Sequence, residues 1–228
     1  MEVGMNAVDV MVRDIVTVDP EADVKEAARL LVDHDISALP VVNKGGELVG
    51  IISEADLVHR AEIDTIRQRP WWLEALMPAF TLAADFAKSH GKRVEELMST
   101  HVISASEQSS LSEIASLLER HRIKRVPIVK DGKVIGIVSR NNLVQALAST
   151  APGANGGKTS DRSIRLELLS RLSEQAWTDF GSRNVIVGDG IVHLWGLVGS
   201  EEERKALIAL AETVPGVVNV SDETILAY

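Results

Sequence analysis

A chain of 228 residues with 45% hydrophobic and 25% charged residues has the composition of a globular protein long enough to bury a core. It contains no cysteine, which excludes disulfides, thiolate metal sites and cysteine nucleophiles. A net charge of −9 argues against non-specific nucleic-acid binding, and no apolar run approaches the roughly 18 residues of a membrane-spanning helix. The charge is unevenly spread: residues 1–60 carry 5 Lys/Arg against 12 Asp/Glu, residues 61–160 carry 13 against 10, and residues 161–228 carry 6 against 11. The first 14 residues lack a basic-then-apolar leader, so the expected location is cytoplasmic.

Residues 5–60 read as a strand around Ile15–Val18, a helix over Val24–His34, a strand Ile36–Val42 with an early Pro40, a Gly45-Gly46 turn and a second strand ending Gly50-Ile51-Ile52-Ser53. Ser53-x-x-Asp56 then opens a helix. Residues 61–93 are an inserted helical segment. Its Trp71, Trp72 and Phe80 are read as packing residues in preference to a ligand-stacking platform, because aromatics at helical spacing are usually core. Residues 94–150 repeat the first unit. Leu111–His121 matches Val24–His34, Ile123-Lys124-Arg125-Val126-Pro127 matches Ile36-Ser37-Ala38-Leu39-Pro40, and Gly136-Ile137-Val138-Ser139 leads to Asn142. Pro40 and Pro127 stand 87 positions apart and Ser53 and Ser139 stand 86, the second turn being one residue shorter.

Residues 151–160 read as a linker. Gly156-Gly157-Lys158-Thr159 lacks the leading glycine of a phosphate loop and follows no strand. Residues 161–228 predict a helix Ile164–Leu172, a hairpin Val185–Gly196 turning at Asp189-Gly190, a helix opened by a Ser200-x-x-Glu203 capping box, and a last strand Val217–Val220.

The paired strand–helix–strand–strand–helix units, with Pro40/Pro127, Gly50/Gly136, Ser53/Ser139 and Asp56/Asn142 in register, resemble the CBS domain family as a tandem pair. The last unit, with Asp189-Gly190-x-Val192-x-Leu194-x-Gly196 and Pro215-Gly216-Val217-x-x-Val220, is similar to the BON domain. The resemblance implies a mixed α/β (α+β) protein: two β-α-β-β-α repeats about a pseudo-twofold axis, followed by a small α-β-β-α-β domain. It also implies an adenosine-containing ligand, AMP, ADP or ATP, as a regulatory ligand and not a required cofactor.

Physically, Ser53 places a hydroxyl at a helix start and Asp56 offers a carboxylate able to accept bonds from a ribose. The family carries ribose binding at this position. The implied site is composite: Ser53 and Asp56 on the ribose, Lys124 and Arg125 on the phosphates, Thr17 and Ile36 beside the adenine. A second, weaker cleft would draw on Ser104, Ser139, Arg140 and Asn142, with Asn142 in place of the usual aspartate. Against these stands a plainer reading, in which Ser-x-x-Asp is a helix cap, Lys124 and Arg125 are solvated, and the pair is a dimeric scaffold.

The six histidines show no metal-ligand spacing and no nucleophile turn is present, so neither catalytic nor metal residues are expected. The family implies a homodimer through its helices. The BON unit is expected to contact a protein partner: its net acidity disfavours anionic lipid, and burial explains Trp195 at least as well as interfacial anchoring.

Overall fold

Two copies of one hairpin set the architecture, and a third, different hairpin is docked on one of them. The structure, a computed structural model, describes residues 4–58, 77, 78, 81, 90–150, 159–178 and 184–227. The expected inserted helices with Trp71, Trp72 and Phe80, and most of the 151–160 linker, lie outside the described residues. The elements are α1 (Ala7–Val10), α2 (Val24–Asp33), β1 (Ala38–Val42), β2 (Leu48–Ser53), α3 (Glu54–Leu57), α4 (Val94–Leu97), α5 (Leu111–Arg120), β3 (Arg125–Lys130), β4 (Lys133–Ser139), α6 (Arg140–Ala148), α7 (Thr159–Ser173), β5 (Asn184–Gly188), β6 (Ile191–Val198), α8 (Glu201–Glu212) and β7 (Asn219–Leu226). The fold class is mixed α/β, as the sequence implies.

The chain divides into two compact units. One comprises residues 16–102 with 132–134; the other comprises 1–15, 103–131 and 135–228. In the first, Asp23 caps α2 by accepting from Lys25 N at 2.7 Å, and α2 lays Val24, Ala27 and Leu31 on the β1–β2 hairpin. The hairpin pairs antiparallel, with Leu39 opposite Ile52 and Pro40 opposite Ile51. Lacking an N–H, Pro40 contributes its carbonyl, which accepts from Val18 N at 3.1 Å. α4 completes this core with Val94 and Leu97.

The second unit repeats the plan with α5, β3, β4 and α6 around Ile114, Leu118, Val126, Ile128, Val138 and Ala146. Its leading helix is α1, which precedes the first repeat in sequence yet buries Ala7, Val10 and Met11 in the core of the second. The two leading helices thus each serve the repeat they do not precede. The repeated glycines explain the fit. A Cβ on Gly136 would stand 2.4 Å from Met11 Sδ and 2.8 Å from its Cγ, and a Cβ on Gly50 would stand 2.4 Å from Met98 Sδ. In each repeat the missing side chain makes room for a methionine.

In the BON-like part, β5 and β6 form the expected hairpin, with Asp189 (φ 52) and Gly190 (φ 78) at its turn. β6 pairs parallel with β7. The last strand runs over Asn219–Leu226 and not 217–220: Gly216 (φ 93) and the exposed Val218 belong to the turn, and polar residues between Val220 and Leu226 mask the strand's period. Ser200 caps α8 by accepting from Glu203 N, but the Glu203 carboxylate reaches back to Gly199 N at 2.6 Å, one residue earlier than a capping box requires.

β5 is buried on both faces. Val185 and Val187 enter the core with Ile164, Leu168, Leu172 and Leu207, while Ile186 enters the core of the second repeat. Trp195 of β6 is half-buried against that same core and donates its indole N–H to Ser149 Oγ at 3.0 Å. α7 is likewise used on two sides. Ile164 and Leu168 face β5–β6, and Arg162 and Arg165 face the N-terminal segment. Arg162 holds Asp9 with bonds of 2.6 and 2.9 Å.

Arg165 is buried and donates to Val185 O (2.6 Å), Met11 O (2.7 Å) and Val8 O (3.0 Å). Burial, with Arg13 nearby, lowers its pKa to about 10, so it is charged at neutral pH.

Two outcomes follow from this packing. Gly136→Ala forces Met11 out of its seat and lowers unfolding free energy by about 1–3 kcal/mol in denaturant titrations. Arg165→Leu leaves buried carbonyls without donors and lowers it by roughly 3–5 kcal/mol, whereas removing the exposed Lys44–Glu21 pair with Lys44→Ala changes it by less than about 0.5 kcal/mol.

Candidate functional site

The two Ser-x-x-Asp/Asn motifs sit where their strands pass into helices. Ser53 is the N-cap of α3, extended at φ −133, and Ser139 is the N-cap of α6 at φ −107. In the first, Asp56 Oδ2 accepts from Ser53 N at 2.9 Å and from Ser53 Oγ at 2.8 Å. No described residue donates to Oδ1, and both side chains are half-buried. This oxygen is an acceptor of the kind a sugar hydroxyl uses. In the second, Asn142 Oδ1 accepts from Ser139 N and Oγ, each at 2.8 Å, but Asn142 is only 5% exposed and its Nδ2 donates to Gln145 Oε1 at 3.2 Å.

The chain just before each proline strand is stitched to the start of the helix. Glu54 N donates to Ser37 O at 3.1 Å, and Arg140 N donates to Lys124 O at 3.2 Å. In the first unit this gathers Ile36, Ser37, Ser53 and Asp56. Ile36 is half-buried and packs on the repeat's core, and the exposed Thr17 adjoins the Val18–Val41 bridge. In the second unit it gathers Lys124 with Ser139, Arg140 and Asn142, while Ser104 precedes the matching Ala105–Ile128 bridge. Lys124 and Arg140 are exposed, and Arg125, at the start of β3, is half-buried. Thr17, Ile36, Ser53 and Asp56 lie in one unit and Lys124 and Arg125 in the other.

Several polar residues escape sequence reading: Asp9, Gln145, Ser149, Arg162, Arg165 and Asn184. Asn184 donates to Val10 O at 3.0 Å and to Gln145 Oε1 at 3.1 Å. The one available signal was Arg165 itself, a cation adjoining the apolar face of an amphipathic helix at Ile164 and Leu168, where an ordinary pattern would place solvent. Among the described residues no group of three or more His, Asp or Glu side chains has metal-site geometry, and no helix is long and apolar enough to cross a membrane.

The comparisons with known proteins find two families in the chain. The CBS domain matches residues 7–62 and 94–149, and the BON domain matches residues 160–227. An uncharacterised protein of Methanocaldococcus jannaschii is 35% identical over 61% of this chain and 89% of its own. The CBS domain-containing protein CBSX1 of Arabidopsis thaliana, chloroplastic, is 30% identical; the match takes in 58% of this chain and 59% of that relative's length. Among solved structures, CBSX2 in complex with AMP superposes with a TM-score of 0.56 at 30% identity, covering 65% of this chain and 100% of that one. The chain belongs to the CBS domain family, as a tandem CBS pair followed by a BON domain.

Proposed function

We propose that the CBS pair binds an adenosine-containing ligand, AMP, ADP or ATP, and that the chain is a regulatory sensor and not an enzyme. The observation that carries this reading is the AMP complex of CBSX2, a chain matched along its whole length, taken with the Asp56 carboxylate, whose Oδ1 accepts from no described residue. Ser53 and Asp56 take the ribose, Thr17 and Ile36 adjoin the base, and Lys124 and Arg125 are assigned the phosphates. The weaker second cleft implied at Ser104, Ser139, Arg140 and Asn142 is not assigned a ligand. The ligand acts by shifting the balance between conformations that differ in what the BON domain presents to a protein partner. The protein works as a cytoplasmic homodimer, without nucleic acid or membrane.

The self-contained cap between Ser53 and Asp56 favours a second reading, a ligand-free dimeric scaffold in which the motif only starts a helix. Thermal melts separate the two. At about 1 mM, a nucleotide with a dissociation constant near ~10 μM adds roughly 2.7 kcal/mol, a rise of about 5–10 °C. The rise is expected with at least one of AMP, ADP and ATP and is abolished in Asp56→Ala, measured against that variant's own ligand-free melt. No rise with any of them leaves the scaffold reading.

A further inference from the structure

The second repeat's motif differs from the first in the one residue that would meet a sugar, and the hydrogen bonds around it explain why. Arg165 Nη2 donates to Asn184 Oδ1 at 3.3 Å, and Asn184 Nδ2 donates to Val10 O at 3.0 Å. A guanidinium can only donate and a backbone carbonyl can only accept, so the Asn184 carboxamide has a single possible orientation. Its Nδ2 also faces Gln145 Oε1 at 3.1 Å, so Gln145 presents its oxygen. Asn142 meets that same oxygen at 3.2 Å and must therefore donate to it, while its own Oδ1 holds Ser139 N and Oγ.

An aspartate at 142 would set a carboxylate oxygen against Gln145 Oε1. Turning Gln145 over would set its Nε2 against Asn184 Nδ2, and Asn184 cannot turn. The chain Ser139–Asn142–Gln145–Asn184–Arg165 is buried at three of its members, Asn142 (5% exposed), Asn184 and Arg165 (3% each). It runs from the start of α6 through β5 to α7.

We infer that Asn142 couples the second CBS repeat to the BON domain, and that because its carboxamide is engaged there the pair takes its adenosine ligand at the first repeat's Ser53 and Asp56 alone. The second clause rests on the nucleotide reading above; the first does not. Asn142 is then the residue that decides which repeat is the sensor and which carries the output domain.

Two measurements on the full chain test this. Calorimetric titration with AMP is expected to give one site per chain, weakened at least tenfold in Asp56→Ala and unchanged within about twofold in Asn142→Ala. Two sites per chain, or loss of binding in Asn142→Ala with retention in Asp56→Ala, overturns the assignment. Hydrogen–deuterium exchange without ligand reads the coupling separately, so that a failure of AMP to bind sinks the nucleotide reading and leaves the coupling tested. Asn142→Asp is expected to speed exchange of the β5 amides about tenfold, and Asp56→Asn to leave it unchanged. Asn142→Ala and Asn184→Ala, which share only Gln145, are expected to combine to less than the product of their separate effects. Wild-type exchange in Asn142→Asp, or a full product in the double variant, overturns the coupling.

Discussion

A buried guanidinium holds the second repeat and the BON domain together. Among the described residues no carboxylate bonds to Arg165; Asp9 is taken by Arg162. Its charge is met by carbonyl dipoles, two from the short helix α1 and the residue after it, and one from β5. Helix ends leave carbonyls without partners, and a four-residue helix such as α1 has little else to offer them. The BON domain supplies the missing donors from Arg165 and Asn184. Removing the BON domain from this surface would expose Ile186 and Trp195 and strand those carbonyls, so the second repeat and the BON domain share one compact unit.

Much of the fold is written in local pattern. The helices over Val24–Asp33 and Leu111–Arg120, the hairpins turning at Gly45-Gly46, Asp131-Gly132 and Asp189-Gly190, and the serine caps of α3, α6 and α8 all follow from periodicity and turn chemistry, which act within a few residues. What stayed hidden depends on partners distant in the chain. Nothing in Ala7–Val10 says that it serves the second repeat, because its apolar residues fit either core. Val185-Ile186-Val187 reads as an alternating hairpin strand until Ile186 is seen to enter a different core from its neighbours. Gly50 and Gly136 stand in register in the sequence, but the methionines that fill the space beside them lie 48 and 125 positions away.

The candidate site was legible in the same partial way. Ser53 and Asp56 are found where the motif places them, half-buried and bonded to each other at the start of α3. Asn142 is also in register, yet its meaning changes once Gln145 and Asn184 surround it. A substitution that looks in sequence like a weakened ribose contact is, in the folded chain, the end of a polar chain that begins at Arg165. The two repeats thus share a backbone plan while their equivalent side chains have different neighbours: Asp56 bonds within its own motif, and Asn142 is tied through Gln145 to the BON domain.

Native-state hydrogen exchange across a denaturant series tests most directly whether the second repeat and the BON domain unfold as one. The slowest amides of α8 and β6 are expected to lose protection at the same denaturant concentration, and with the same slope, as those of β3 and α5. Loss of protection in α8 and β6 at clearly lower denaturant, with β3 and α5 still closed, would show two independent domains and contradict a unit built around Arg165.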